Sequence, residues 1–420
     1  MALSLKSTFV WLLMKIDTLL LKSGRLLRMS TARTASLLPG TSIHFGPPRN
    51  EATATSITDP SVLRRHSILP NRSTHRPLMD YADPPIDEEM RRKKPATIKE
   101  VFVAEIPQGR YWGRYHGYIL DRNDTLLTDL SPTFTPEKKR HDGLEQPKLP
   151  PLKELRGTVA VINSLFAHNF HHWLLDTVPR FEWIRRAGWS WEKIDYFIFP
   201  KSLLRHHQEI LNLLKIDPAK VICSTADVHI QADLLLVPNF SQPLAEPGDY
   251  DYTPEGLQFV RDLFLTNNPF LGKKYPARIL VSRERASARR LVHDEQTTRP
   301  LLEMGFEKVF LEDYSLQEQA AMFHQAECIV MPTGGNLANF VFCRPGTVAV
   351  ELFGKNYYPT FSHAMMSEIG FRFYCLVGEK VSRPFPDARF ANEDIDLNPE
   401  RVHALVRQAL TKLQSSTSGA

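Results

Sequence analysis

From Gly157 to the C-terminus, short β-branched or aromatic runs alternate with longer segments whose apolar residues recur at helical spacing. This alternation constrains the fold most, because it is typical of strands that lie parallel in a sheet with helices on both faces. The pattern predicts two successive units of this kind. In the first unit we expect strands at 158–162, 196–199, 221–223 and 234–237, with helices at 169–187 and 203–216.

The second unit shows the same pattern more clearly. We expect strands at 278–282, 308–311, 328–331, 348–352 and 373–377, and helices near 293–304, 315–326, 336–342, 363–369 and 399–413. The chain is therefore predicted to be α/β, with two Rossmann-like domains, 96–250 and 251–415, that face a cleft. In open sheets of this type ligands bind beyond the carboxyl ends of the strands, so the strand-to-helix turns are the first candidates for a site.

The first 95 residues lack sustained apolar periodicity and are rich in proline, which predicts a basic, largely irregular and partly disordered extension. Residues 1–50 hold seven Lys and Arg against one Asp, so they account for the formal net charge of +5. A nucleic-acid-binding domain would spread its positive charge over a folded face, and we expect no nucleic acid as partner.

The apolar run 9–14 ends at Lys15, well short of the roughly 20 residues that a membrane-spanning helix needs. A peripheral membrane contact, a targeting segment and an upstream stretch without structure remain alternatives for this extension.

The four cysteines are far apart and form no CxxC pair, which predicts neither a zinc cage nor a disulfide-dense scaffold and suits a reducing compartment. Two Asp-x-Asp triplets, 249–251 and 394–396, lie in predicted loops, and we interpret them as chance occurrences or local capping.

The first motif is the segment 169–180, NFHHWLLDTVPR, which follows the first strand of the first unit. In a helix, His172 and Asp176 share a face, with Asn169 one turn earlier. An imidazole held by a carboxylate can deprotonate a hydroxyl nucleophile. The alternative is a helix in which these polar groups cap or pair locally. A metal site at His168, His171 and His172 is a weaker alternative, because no second ligand cluster is evident.

The second motif, 281–290, places several arginines at the predicted carboxyl end of a strand. Two arginines with small residues between them could make bidentate contacts to phosphate oxygens, and a planar guanidinium suits a diphosphate better than lysine does. The alternative is a solvated basic loop paired with Glu284 and Asp294.

The third motif is the turn 331–339, MPTGGNLAN, again between a predicted strand and a helix. Gly334 and Gly335 would let backbone N–H groups approach an anion at the start of the helix. Tight packing between strand and helix explains the glycines equally well. The turn matches neither GxGxxG nor the P-loop. Downstream, Glu351 ends the next predicted strand, where its carboxylate could accept hydrogen bonds from ribose hydroxyls.

Taken together in this order, the motifs resemble glycosyltransferase family 61 over roughly residues 155–380. The residues that carry the resemblance are Asn169, His172, Trp173, Leu174, Asp176, Pro179 and Arg180, then Ser282, Arg283, Ala288, Arg289 and Arg290, then Gly334, Gly335, Leu337, Asn339, Phe342, Pro345, Gly346, Thr347, Glu351 and Leu352.

The resemblance implies a GT-B architecture and an inverting mechanism. It also implies a nucleotide-sugar donor, for which a UDP-sugar is the first expectation, and it implies no obligatory metal and no other cofactor. It implies that the donor is held by Arg283, Arg289, Arg290, Gly334, Gly335, Asn336, Asn339 and Glu351. It makes His172 and Asp176 the candidates for catalysis, and gives Asn169 and Arg180 an acceptor-binding or structural role.

One departure from the family pattern lies at 332–336, PTGGN, where many relatives carry a His-Gly-Ala-Gly turn. The form of the motifs is closer to the bacterial branch, which implies transfer of a hexose or pentose to a glycan in surface polysaccharide biosynthesis, in the cytoplasm or at the inner membrane face. A Golgi or ER lumenal location follows if the chain is eukaryotic.

The alternative to a transferase is a noncatalytic nucleotide-sugar or glycan-binding protein on the same fold. A nicotinamide oxidoreductase would need a GxGxxG turn, which we do not find.

Overall fold

The computed structural model describes residues 48–73, 79–83, 97–114, 117–131, 141–145, 149–240, 251–359, 361–381 and 392–417. The strands are β1 Asn50–Ala52, β2 Arg64–Leu69, β3 Arg72–Ser73, β4 Tyr81–Ala82, β5 Thr97–Ile98, β6 Val101–Pro107, β7 Arg110–Trp112, β8 Tyr118–Leu120, β9 Thr125–Leu127, β10 Lys153–Val161, β11 Tyr196–Phe199, β12 Val221–Cys223, β13 His229–Pro238, β14 Arg278–Val281, β15 Glu307–Val309, β16 Cys328–Pro332, β17 Val348–Phe353, β18 Arg372–Val377, β19 Lys380–Val381 and β20 Ile395–Asp396.

The α-helices are α1 Phe170–His172, α2 Pro179–Arg186, α3 Arg205–Leu214, α4 Pro254–Leu265, α5 Asp294–Glu303, α6 Leu316–Gln325, α7 Phe361–Ile369 and α8 Pro399–Thr417. A π-helical turn spans Trp173–Thr177, and 3₁₀ turns span Ala54–Ser56, Asp142–Glu145, Trp191–Lys193, Pro218–Lys220, Leu311–Asp313 and Gly335–Phe342. No helix among the described residues is both long and apolar enough to cross a membrane.

The N-terminal sheet has ten strands and is parallel only in part. β13, β10, β11 and β12 are parallel neighbours, and these are the strands that the sequence pattern predicts in the first unit. β6 and β7 pair with β13 in the antiparallel direction, and β8 and β9 extend this side of the sheet. The sheet is therefore mixed rather than parallel throughout, because the short connections between β6, β7, β8 and β9 allow hairpins but no crossover helices.

The C-terminal sheet has six strands, all parallel, in the order β15-β14-β16-β17-β18-β4. Numbered within the second unit, the first five strands follow the order 2-1-3-4-5, which is a doubly wound topology with its switch point between β14 and β16. The predicted strands and helices of this unit are confirmed to within two residues, with two exceptions. Helix α8 ends at Thr417, four residues beyond the prediction, and the predicted helix 336–342 is a 3₁₀ turn. The carboxyl ends of β14 and β16 lie side by side at the switch point, which is the favoured ligand position in such sheets.

Three strands from the N-terminal 95 residues join these sheets. In the N-terminal sheet β1 pairs with β9 and β2 pairs with β6, and β4 pairs with β18 at the edge of the C-terminal sheet. Asp80 accepts a hydrogen bond from the Phe373 N–H at 3.1 Å, and Asp83 accepts one from the Val377 N–H at 2.7 Å. The prediction of irregular backbone is wrong for these strands, because their pairing partners are distant in sequence and their half-exposed residues show no apolar alternation. The basic segment 1–47 lies outside the described residues.

The two sheets share one continuous core. Helix α4 packs against α2 of the N-terminal half and against α6 of the C-terminal half. Phe264 of α4 contacts Phe342 at 5.5 Å between ring centroids, and both side chains are fully buried. The cleft between the halves is thereby fixed on one side by packed helices. The predicted domain boundaries remain predictions.

Candidate functional site

The candidate site is a small cleft where the turn after β10 meets the turn after β16. The first turn brings side chains from the N-terminal sheet, and the second brings glycine backbone from the C-terminal sheet. The loops after β14 and β17 close the cleft from the C-terminal half. The residues that line it are Asn169, His171, His172, Arg289, Thr333, Gly334, Gly335, Leu337, Tyr357, Pro359 and Phe361.

The predicted helix 169–187 is broken into three pieces. Asn169 caps the first, since its Oδ1 accepts a hydrogen bond from the His171 N–H at 2.9 Å. The chain then widens into the π-helical turn, in which the Val178 N–H bonds to the Trp173 carbonyl at 2.9 Å. Pro179 has no N–H to donate and starts α2 afresh. The prediction of a continuous helix is wrong at this point, and single π turns of this kind are frequent at functional sites.

His172 and Asp176 are brought together as the spacing predicts. The Nδ1 atom of His172 lies 2.7 Å from Oδ2 of Asp176, and the carboxylate is 3% exposed. An ionised carboxylate only accepts hydrogen bonds, so Nδ1 carries the proton and Nε2 of the neutral ring is left as the basic nitrogen. His172 lines the cleft while Asp176 lies behind it.

The neighbouring His171 has a different environment. Its ring is buried and lies tilted against the ring of Phe361, with 4.6 Å between the two centroids. Its Nε2 lies 2.7 Å from the Tyr252 hydroxyl oxygen. Burial holds the pKa of His171 well below its ordinary value, and the nearby His172 and Arg289 lower it further. His171 is therefore neutral and joins the two halves rather than exchanging protons. Among the described residues no three His, Cys, Asp or Glu side chains cluster as metal ligands would.

Arg283, at the carboxyl end of β14, lies directly against the glycine turn. Its Nε and Nη2 donate to the Ala288 carbonyl at 3.3 and 3.0 Å, and a Cβ atom on Gly334 would overlap its guanidinium. Burial lowers the pKa of Arg283 to about 10, and the adjacent charge of Arg289 acts in the same direction. A side chain at position 334 would therefore have to displace the Arg283 guanidinium from the turn.

Of the two following arginines, the structure turns Arg289 into the cleft and Arg290 away from it. Arg289 has a φ of 60°, and its guanidinium lies 5.7 Å from the centre of the Tyr357 ring. Arg290 donates through Nη2 to Asp394 at 2.9 Å, and its backbone N–H bonds to the same carboxylate at 3.0 Å. Asp394 of the second Asp-x-Asp triplet thus holds the arginine loop, and the next two residues form β20 rather than the predicted loop.

The remaining predicted donor-site residues lie below or beside the cleft. Asn339 is fully buried and donates through Nδ2 to Gln319 at 3.0 Å and to the Asn336 carbonyl at 3.2 Å. Asn336 lines a neighbouring groove together with Phe170. These contacts give Asn339 a supporting role beneath the 3₁₀ turn Gly335–Phe342.

Glu351 lies within β17, two residues before its end, and is fully buried. The Ser362 hydroxyl donates to its Oε2 at 2.6 Å. Burial raises the pKa of Glu351 to about 8, although the Ser362 and Thr333 hydroxyls and the charge of Arg289 act in the opposite direction. The carboxyl group lies beneath the floor of the cleft, next to Thr333 of the glycine turn.

Arg180, for which the motif left two roles open, makes structural contacts. It is 5% exposed and donates to the Val161 carbonyl at 3.2 Å and the Asn239 carbonyl at 3.3 Å. Burial lowers its pKa to about 9. These bonds tie α2 to the ends of β10 and β13.

Sequence reasoning missed Tyr252, Tyr357 and Phe361, and it gave Thr333 of the glycine turn no role. Tyr357 and Phe361 follow the carboxyl end of β17, and that position was the signal available for finding them. Tyr252 lies just before α4, far from every motif, and nothing in its neighbourhood marks it.

The family model described as Glycosyltransferase 61 matches residues 170–350. The match begins at α1 and ends within β17, so it contains the His172–Asp176 pair, the arginine loop and the glycine turn. No curated protein sequence matches the chain.

Proposed function

We propose that this chain, which belongs to glycosyltransferase family 61 through residues 170–350, is an inverting enzyme that transfers a hexose or pentose from a nucleotide-sugar, most simply a UDP-sugar. The observation that carries the proposal is the convergence of Arg283 and Arg289 with a glycine turn at the switch point of the C-terminal sheet, facing His172. In this proposal the two halves form a GT-B arrangement.

The donor diphosphate would lie at the glycine turn. Arg289 is close enough to Arg283 for its charge to lower the pKa of Arg283, and an anion between the two relieves that repulsion. Backbone N–H groups at Gly334 and Gly335 add donors at a helix start. These groups also stabilise the charge that builds up on the departing nucleoside diphosphate, so we propose a reaction that needs no metal ion.

His172 would be the general base, with Asp176 as its positioning residue. Nε2 of His172 takes the proton from an acceptor hydroxyl as that oxygen bonds to the anomeric carbon. The bond from the anomeric carbon to the diphosphate oxygen breaks on the opposite face, which inverts the configuration. Asp176 keeps the proton on Nδ1 and stabilises the imidazolium that forms. Asn169, exposed at the cleft, is placed to contact the acceptor.

We propose a glycan acceptor and a role in surface polysaccharide biosynthesis, as in the bacterial branch of the family. The enzyme would then work in the cytoplasm or at the inner membrane face, with the basic segment 1–47 as a peripheral contact.

The test is a thermal-shift series with UDP, GDP, CDP, TDP and CMP in EDTA, using wild-type protein, Arg283→Ala and Arg285→Ala. Arg285 is the matched control, because it belongs to the same loop but pairs with Asp313 at 2.7 Å and packs over Phe310. We expect one nucleotide to raise the Tm of the wild type and of Arg285→Ala, but not of Arg283→Ala. A wild type that no nucleotide stabilises would overturn the donor site.

Turnover is measured with the stabilising nucleotide-sugar and a panel of glycans, followed by anomeric proton NMR of the product. Inverted configuration at the new linkage supports the mechanism, and retention contradicts it. A protein that binds the nucleotide-sugar but releases no nucleoside diphosphate with any acceptor or with water would instead be a noncatalytic binding protein.

A further inference from the structure

Two buried hydroxyl groups lie behind His172 and are not used in the reaction. Ser164 follows β10, and Thr177 is the last residue of the π-helical turn. Their Oγ atoms are 2.7 Å apart, and the two residues are 5% and 0% exposed. Such a pair is out of contact with solvent, so its hydrogen bonds are made within the protein.

The direction of these hydrogen bonds follows from a third contact. The Thr177 hydroxyl donates to the carbonyl oxygen of His172 at 3.1 Å. Its single proton is thereby used, so in the pair the Ser164 hydroxyl must donate and the Thr177 oxygen must accept. The two hydrogen bonds therefore run in one direction, from the Ser164 hydroxyl through the Thr177 hydroxyl to the His172 carbonyl oxygen.

These hydrogen bonds act on His172, the same residue that Asp176 holds. Asp176 bonds to the His172 ring, and the adjacent Thr177 bonds to the His172 main chain. The backbone and the side chain of the base are thus both fixed by one turn, and Ser164 ties that turn to the end of β10. A catalytic base must be held within a fraction of an ångström of its reactive geometry, since small displacements cost large factors in rate.

We propose that the Ser164–Thr177 hydroxyl pair positions His172 for proton transfer, a role that rests on the proposed function of His172 as general base. The pair touches no reacting atom, so both are positioning residues. Their removal should lower kcat and leave nucleotide binding intact, because the donor groups Arg283 and Arg289 lie on the other half of the molecule.

The test compares Thr177→Val, Thr177→Ser and Ser164→Ala with Thr347→Val. Valine keeps the branched shape and removes the hydroxyl, and serine restores it. Thr347 is the matched control, because it is also buried and its hydroxyl donates to a carbonyl, that of Ala326 at 3.2 Å, in the C-terminal half. We expect kcat to fall roughly tenfold in Thr177→Val and somewhat less in Ser164→Ala. Nucleotide Kd should be unchanged in every variant, and Thr177→Ser and Thr347→Val should stay within about twofold of the wild-type kcat.

A second readout does not need turnover. In protein with ¹⁵N-labelled histidine, the chemical shifts of the His172 ring report its surroundings, and the signals are assigned by their absence from His172→Ala. We expect Thr177→Val to move these signals, and Thr177→Ser and Thr347→Val to leave them in place. A Thr177→Val protein with wild-type kcat and His172 signals, or losses of the same size in Thr347→Val, would overturn the proposal. If the wild type shows no transfer at all, the proposed function fails, and the histidine spectra alone decide whether the pair orients His172.

Discussion

The turn after β10 and the turn after β16 face each other across the cleft but are stabilised in different ways. The first is held by side chains: the His172–Asp176 and Ser164–Thr177 contacts are each 2.7 Å long and largely buried. The second has two glycines, and its nearest charged group, Arg283, is held by a backbone carbonyl. The difference fits two tasks, because proton transfer depends on the position of one ring, whereas binding of an anion depends on charge and backbone N–H groups.

The largest effect should come from removing the ring in the first turn. His172→Ala is expected to reduce kcat on the order of 10²–10⁴-fold, the usual contribution of a general base, with nucleotide Kd unchanged. His168→Ala is the control, because His168 precedes the same helix but its side chain lies exposed outside the cleft lining. Initial rates give kcat, and calorimetric titration with the nucleotide gives Kd. If His172→Ala weakened nucleotide binding as much as turnover, the separation of tasks between the two turns would be wrong.

In the second turn, the two glycines differ in what surrounds them. A methyl group on Gly334 would displace the Arg283 guanidinium, whereas at Gly335 the nearest atom, Oδ1 of Asn169, is 3.6 Å away. We expect Gly334→Ala to weaken nucleotide binding roughly tenfold, about 1.4 kcal/mol, and Gly335→Ala to weaken it less. Calorimetric titration gives both Kd values, and Tm values measured without ligand show whether either variant is unstable. Equal Kd values for the two variants would mean that Arg283 does not determine binding.

The carboxyl group under the second turn should affect stability rather than turnover or nucleotide binding. Because the pKa of Glu351 is raised to about 8, the folded protein holds a proton there that the unfolded chain releases above about pH 4.5. The free energy of unfolding should therefore decrease between about pH 4.5 and 8, with a slope of at most about 1.4 kcal/mol per pH unit from this group. Glu351→Gln should remove that contribution. Urea unfolding of both proteins at pH 5 and pH 8 measures it, and parallel pH curves would show that Glu351 stays ionised in the folded protein.

The sequence predicts the C-terminal sheet closely because buried parallel strands need continuous apolar runs, which are easy to recognise. It does not predict β2 or β4, since their stability comes from strands far away in the chain. The broken helix at 169–187 also escapes prediction, because helical spacing alone does not distinguish an α turn from a π turn.

The candidate site is predicted in its composition but not in its geometry. His172 and Asp176 meet as their spacing indicates. The choice between Arg289 and Arg290 depends on the positive φ of Arg289, which turns neighbouring side chains in opposite directions, and no local residue preference signals it. Glu351 and Asn339 belong to the same motifs as the cleft residues yet lie beneath them, because β17 is buried along its whole length and the 3₁₀ turn is buried from Leu337 onward.

The pairing of β4 with β18 has a consequence for how the chain folds. The hydrogen bond from Phe373 to Asp80 joins residues 293 positions apart, so a very long loop must close before this contact contributes any stability. Contacts of such long range slow folding, and on a ribosome the β4 segment emerges long before its partner strand is made. We expect the edge of the C-terminal sheet to be completed in a late step, with the rest of that sheet already assembled.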